Sequence, residues 1–296
     1  MISFIKHIVS LIGKHNPELI VRIRYLIRFH KRLNLDNPVN LNEKIQYLSL
    51  RTDTSEWTRL SDKYAVRDYV KECGLERILN RLYGVWDNAD DIDFDNLPDE
   101  FVIKTTHGSG DSIIVKDKTG LDIAALKRKI NSTLSEVYGQ AEGNLHYSGI
   151  TPRVIVEELL KNDAVSEQYS TSLIDYKIWC FNGKAYYIWA CTDRTAKGTK
   201  VLTYDRDWNA HPEYSVFTKH YMQDNVIPRP ENLEQMLSVA EKLSASFPVV
   251  RVDLYNIAGR VVFGEMTFTS LGGLMNFYTD QFLLMTGSMI QLPVEK

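Results

Sequence analysis

Val249-Val250-Arg251-Val252-Asp253, Asn256-Ile257-Ala258-Gly259 and Val261-Val262-Phe263-Gly264-Glu265-Met266-Thr267 form the stretch whose reading decides the fold. Apolar and polar residues alternate at period two on either side of an Ala-Gly turn, the pattern of a β-hairpin. Arg251, Asp253 and Glu265 interrupt strands that are otherwise apolar. In a hairpin, residues whose numbers sum to a constant face each other, and the turn sets Asp253 and Glu265 near that sum. Two adjacent carboxylates repel unless a cation lies between them, so a hard divalent ion is the natural third party. The plainer reading is a surface hairpin whose arginine pairs with a carboxylate.

Working outward, 296 residues suffice for a large core, as one elaborate domain or two smaller ones. Hydrophobic residues at 44% and charged ones at 25% are ordinary for a globular protein. A net charge of −3 gives no reason to expect a nucleic-acid partner. Cys73, Cys180 and Cys191 form no CxxC pair, which reads as reduced thiols in a cytoplasmic protein. No run reaches the ~20 apolar residues that span a bilayer.

The N-terminus departs from this average. Between Met1 and Leu35, Lys6, Lys14, Arg22, Arg24, Arg28, Lys31 and Arg32 face the single acid Glu18. Ile2, Phe4, Ile5, Ile8, Val9, Leu11 and Ile12 form a helical stripe before Asn16-Pro17, and Leu19 to Phe29 forms a second. Basic amphipathic helices favour anionic membrane surfaces, so residues 1–35 are an expected peripheral contact at the inner face of the membrane. Ordinary core-docking helices with a basic outer face are the competing reading.

Further along, Asn40 and Glu43 are spaced as a capping box. Ser61 to Val70 reads as a helix ended by Cys73-Gly74. Strands are expected at 82–86, 101–104, 112–115 and 153–160, with a helix over 122–138. Ser172 to Phe181 and Ala185 to Thr192 flank Asn182-Gly183, a strong hairpin signal, and a helix over 232–247 precedes the charged hairpin. Strands and helices are mixed rather than strictly alternating, which predicts an α+β fold.

Several residues point to an anionic ligand. Lys104 ends an apolar strand just before His107-Gly108-Ser109-Gly110, where a glycine turn can present backbone N–H groups to phosphate. Lys177 sits mid-strand in Asp175-Tyr176-Lys177-Ile178, on the face opposite Tyr176 and Ile178, and such a lysine needs an anionic partner. Glu157-Glu158-Leu159 ends an apolar strand whose backbone can read an adenine edge.

In that order, Asp62-Lys63-Tyr64-Ala65-Val66-Arg67, His107-Gly108-Ser109-Gly110, Asp175-Tyr176-Lys177, Phe181-Asn182-Gly183-Lys184, Arg251-Val252-Asp253-Leu254-Tyr255 and Gly264-Glu265-Met266-Thr267-Phe268 resemble the ATP-grasp superfamily. Within it they look like the teichuronopeptide-biosynthesis (TupA-like) branch, found among capsular and exopolysaccharide genes. The resemblance covers about residues 35–293. It implies an ATP-grasp fold of two α+β subdomains clasping ATP, preceded by the basic helices. The expected parts are 1–35, a helical linker 36–100, a glycine-loop subdomain 101–160 and a metal- and acceptor-binding subdomain 161–296.

By the same resemblance, Lys63 and Lys104 would contact the phosphates, with His107, Gly108, Ser109 and Gly110 in the covering loop. Glu157, Glu158 and Leu159 would meet adenine, and Glu167 the ribose. Lys177 would touch the phosphate chain and Arg251 the reacting carboxylate. Asp253, Glu265 and Thr267 would hold Mg2+. Thr267 stands where many relatives carry asparagine, and Thr269-Ser270-Leu271-Gly272-Gly273 replaces an expected Pro-Gly-Ser-Gly turn. Thr106 and Asp111 also depart from the asparagine and tryptophan expected there.

The implied activity is an ADP-forming carboxylate–amine ligase working through an acyl phosphate. Its carboxylate would be a uronic acid in a surface glycan or precursor, and its amine an amino acid or amino sugar. Two alternatives remain at this level. Asp91-Ile92-Asp93 and Asp205-Arg206-Asp207 spell the Asp-x-Asp of a glycosyltransferase, and the 267–273 departures suit a non-catalytic nucleotide binder.

Overall fold

A computed structural model describes residues 2–293, with side chains from Ile8 onward. The side chains of the expected stripe residues Ile2, Phe4 and Ile5 and of the basic Lys6, and the last three residues of the 161–296 part, lie outside what is described. The helices before the first sheet are α1 (Ile2–His15), α2 (Pro17–Phe29), α3 (Leu41–Arg51), α4 (Ser55–Ser61) and α5 (Val66–Glu72). There follow β1 (Leu82–Trp86), β2 (Phe101–Thr105), β3 (Ile113–Val115), α6 (Ile123–Leu134), α7 (Leu145–Ser148) and β4 (Val154–Glu157). The rest runs β5 (Asp175–Phe181), β6 (Lys184–Thr195), β7 (Gly198–Asp205), β8 (Tyr221–Gln223), α8 (Leu233–Ser244), β9 (Val249–Ile257), β10 (Arg260–Thr267) and α9 (Asp280–Met289). No described helix is long and apolar enough to cross a membrane.

Two compact units result, Met1–Pro17 with Ser55–Leu160, and Glu18–Thr54 with Lys161–Lys296. In the first, an antiparallel sheet of order β1-β4-β2-β3 buries Phe101, Ile103, Val115, Val154 and Val156 with Phe94, Leu97 and Ile130. The helix expected over 61–70 is broken. Asp62 takes the amides of Tyr64 and Ala65 at 2.7 and 3.1 Å, and α5 begins only at Val66. An aspartate that bonds the next turn's N–H groups competes with helix continuation, which is why the pattern misleads here.

The second unit holds the sheet β10-β9-β5-β6-β7-β8, antiparallel but for the β7–β8 pair. Both tight hairpins close through two successive left-handed residues, Asn182-Gly183 and Ala258-Gly259, as two-residue loops that match strand twist require. The predicted capping box forms: Asn40 accepts from the Glu43 amide at 3.0 Å and Glu43 accepts from the Asn40 amide at 3.3 Å. Met236, Leu237, Val239, Ala240 and Leu243 bury α8 against β5, β6 and β9. The strands beneath are therefore apolar on the face of Tyr176, Ile178, Cys180, Val250, Val252 and Leu254, all buried. Period two then sends their odd-numbered neighbours to the other face.

Candidate active site

That other face carries the charge. Register places Lys177 opposite Asp253 across β5–β9 and Asp253 opposite Glu265 across β9–β10, with Arg251 opposite Thr267. An undisturbed hairpin would have paired Asp253 with Gly264. A bulge after Phe263 shifts the register by one and brings Glu265 across instead. Gly264 makes the shift possible, since a Cβ there would sit 2.9 Å from the Asp253 carbonyl oxygen.

The cation between the two carboxylates is a guanidinium. Arg251 donates Nε to Asp253 Oδ1 at 2.7 Å and Nη2 to Asp253 Oδ2 at 2.8 Å. The same Nη2 lies 3.4 Å from Glu265 Oε1 and 3.2 Å from Thr267 Oγ1, while Nη1 donates to Ser270 Oγ at 2.6 Å. Lys177 Nζ pairs with Asp253 Oδ2 and lies 2.7 Å from Asp175 Oδ2, which Arg194 also reaches at 2.9 Å. Three basic and three acidic groups thus balance. Isolated charges buried this deeply would be prohibitive, and mutual pairing is what makes them tolerable.

Protonation follows the pairing. Burial raises the Asp253 carboxyl, but Arg251 and Lys177 outweigh it and hold the group below the usual carboxylate range. For Lys177, burial works against the charged form, and Asp175 and Asp253 more than compensate, so the ammonium persists. Tyr255 is pushed well up by burial first and by Asp175 second, so it stays a phenol.

A hard cation suits these donors. Glu265 has a side chain 46% exposed, and its Oε2 has no protein partner among the described residues. Thr267 Oγ1 bonds its Oε1 at 3.1 Å, and the Asp253 carboxylate is directly opposite. Carboxylate and hydroxyl oxygens are the ligands magnesium prefers, completed by water or phosphate rather than by an all-protein cage. Asp253 would have to exchange part of its Arg251 and Lys177 contacts for metal.

The first unit presents a different arrangement. The break at Asp62 holds Lys63 with its amide on the Thr106 carbonyl at 3.2 Å. Its Nζ donates to the Thr105 carbonyl at 2.9 Å and to that of Gly108, at the start of the glycine loop. Asp111 pins the loop's far end, taking the Thr105 amide at 2.9 Å and the Thr105 hydroxyl. Burial raises its pKa, and Lys63 with these bonds brings it below the ordinary value. Gly108, Ser109 and Gly110 therefore bow out between fixed ends. His107 is buried with Nε2 at 3.1 Å from the Glu136 carbonyl, beneath the loop.

Lys104 pairs with Glu157 Oε2 at 2.8 Å, and Arg67 holds Oε1 at 3.0 Å. Glu158 uses both backbone groups internally, its amide on the Arg81 carbonyl and its carbonyl on Asn80 Nδ2, at 3.0 and 2.8 Å. Leu159 has no main-chain hydrogen bond among the described residues. In the second unit Glu167 is exposed within a single 3-10 turn.

The Asp-x-Asp segments serve their own turns. Asp93 accepts from Asp95 N and Asn96 Nδ2, and Asp205 from Asp207 N, Asn209 and His211. Sequence reasoning passed over Asp175, Arg194, Ser270, Asp111 and Arg67. Asp175 was within reach, because residues two apart in a strand share a face and Lys177 needed an anion. Arg194 and Ser270 arrive from a bulged strand end and a turn, which carry no such signal.

No curated protein matches the chain. Among solved structures, it is similar to an L-amino acid ligase from Bacillus licheniformis, at 12% identity over 88% of this chain and 56% of that one, TM-score 0.49. It is also similar to D-alanine–D-alanine ligase from Helicobacter pylori, at 16% identity over 88% and 69%, TM-score 0.46. For the enzyme of the same name from Bacillus anthracis, solved with ATP, the values are 16%, 71% and 55%, TM-score 0.42. The chain thus spans little more than half of the Bacillus proteins. Residues 43–291 match the TupA-like ATPgrasp family, and with most of its length covered the chain belongs to that family.

Proposed function

We propose that the protein is an ATP-dependent carboxylate–amine ligase, joining an amino acid or amino sugar to a uronic acid in capsular or exopolysaccharide synthesis. One observation carries the reading: a sheet face on which register and a bulge oppose Lys177 to Asp253 and Asp253 to Glu265, with Arg251 between. The occurrence of the TupA-like branch among capsular and exopolysaccharide genes, which the resemblance implies, is what favours a uronic acid.

An amine cannot displace oxide from a carboxylate in water. In the proposed reaction a carboxylate oxygen takes the γ-phosphoryl group of ATP and ADP leaves. The amine then attacks the acyl carbon, phosphate departs with that oxygen, and the nitrogen loses a proton. Lys63 and Lys104 bring positive charge to the phosphates, and the pinned loop 107–110 offers backbone N–H groups to them. Leu159 offers an unused backbone edge to the base. Lys177 stays charged and contacts the phosphate chain, and Arg251 steadies negative charge on the acyl oxygen. Magnesium, held by Asp253, Glu265 and Thr267, would neutralise charge on the transferring group.

ADP release should require ATP together with both a uronic acid and an amine, screened as pairs. Asp253→Asn should lower turnover by at least about 10² while circular dichroism is unchanged. Near-wild-type turnover in that variant, or release that ignores both acceptors, overturns the assignment.

A further inference from the structure

We propose that α2 is an interfacial helix that seats the protein on an anionic lipid surface. The proposal does not depend on the ligase reading. In the 13-residue helix, Ile20, Val21 and Tyr25 turn inward, and Val21 and Tyr25 pack with Leu33, Leu35 and Leu274. Leu19, Ile23, Leu26 and Ile27 point out, Ile27 with 70% and Leu26 with 50% of its surface exposed. At 100° per residue these four occupy one arc of about 100°, a continuous apolar stripe rather than scattered exposure. Exposing four such side chains to water has no folding rationale.

Charge identifies what covers the stripe. Arg22, Arg24, Arg28, Lys31 and Arg32 stand in and just after the helix against Glu18 alone. Glu18 is already claimed by Arg22 and Arg51 at 2.7 Å each. Lys31 and Arg32 are exposed just past the helix, and the Lys31–Asp280 pair, with both side chains largely in water, holds little of that charge back. Arg28, on the helix side next to Val21, is exposed and gives one donor to Asn276 Oδ1 at 3.1 Å. Apolar side chains that dip into the acyl boundary, with cations at phosphate height, define an interfacial helix. A second copy meeting the same patch would bring these cations against their own equivalents. A protein partner would be expected to meet aromatic anchors, and the stripe has only aliphatic ones.

The test is flotation of the full chain with phosphatidylglycerol-containing and pure phosphatidylcholine vesicles. Anionic vesicles should bind it, and 0.5 M salt should release most of it. Ile27→Gln, largely at the surface, should weaken partition about tenfold, and a joint Arg28→Gln, Lys31→Gln variant by roughly 10–30-fold. Binding that ignores lipid charge, or that survives both variants, overturns the proposal. So does a concentration-dependent dimer in sedimentation that Ile27→Gln abolishes, since the stripe would then be a contact between copies. Thermal melts of the variants should match the wild type, as exposed positions predict.

Discussion

The two units treat charge in opposite ways. In the second, Lys177, Arg251 and Asp253 are sealed in a sheet, each fixed by strand register and by partners of opposite sign. In the first, Lys63 and Lys104 lie at the edges of a glycine loop and a strand, and Lys63 spends its ammonium mostly on backbone carbonyls. The buried set is preorganised at a high desolvation cost, and so tolerates little change. The loop set is less deeply buried, with side-chain exposures of 16% for Lys63 and 26% for Lys104, and costs less desolvation to hold. Register-fixed buried charge and loop-edge charge are two different ways of holding an anion.

Removing the bridge should give the largest effect. Arg251→Met leaves Asp253 facing Glu265 with only Lys177 in support. Turnover should fall by about 10²–10³. Urea unfolding should report a loss of about 3–5 kcal/mol, as breaking a buried pair predicts. A variant as stable as wild type would show that the sealed cluster is not the rigid one.

Next comes the bulge. Gly264→Ala forces its Cβ toward the Asp253 carbonyl, and overpacking of this kind costs about 1–3 kcal/mol. Turnover should fall with it, because the Asp253–Glu265 opposition depends on that residue. Lost stability with unchanged turnover would uncouple the register from the chemistry.

Acid should separate the units. His146 is buried in the first unit beside Trp57 and Tyr147, and burial pushes its pKa down to about 3. The unfolded chain binds a proton there from about pH 6.5 downward while the fold does not, so stability falls as pH drops from about 6.5 toward 3. His146→Phe should remove up to about 1.4 kcal/mol per pH unit of that slope, read by urea titrations between pH 7 and 4. The Asp253 contribution has the other window: its folded pKa is depressed, so it is lost only as pH falls below the ordinary carboxylate value. An unchanged slope in His146→Phe would erase the contrast.

The smallest effect belongs to Lys104→Ala. Arg67 still holds Glu157, so thermal stability should move little, while the affinity for ATP should fall about tenfold by calorimetry. Equal loss of stability and affinity would make Lys104 a structural residue like those of the sheet.

Local patterns made much of this legible. Period-two alternation marked both hairpins, and their Asn-Gly and Ala-Gly turns took the left-handed geometry expected. The Asn40–Glu43 spacing announced its cap, and a lysine in a buried strand announced an anionic partner. These signals lie within a few residues of their consequences. Asp62 shows where such reading stops: one carboxylate oxygen takes the Tyr64 and Ala65 amides, while the other meets Arg153, ninety-one positions away, at 3.0 Å.

By itself the sequence determined strands, turns, the family and which residue types carry charge, since these follow from neighbours along the chain. Only the tertiary structure decided that a guanidinium lies between Asp253 and Glu265 and that Asp175 and Ser270 join them. Pairings of that kind are set by strand order, by a bulge and by turns from distant segments. Their energies are fixed by burial, which no spacing along the chain encodes.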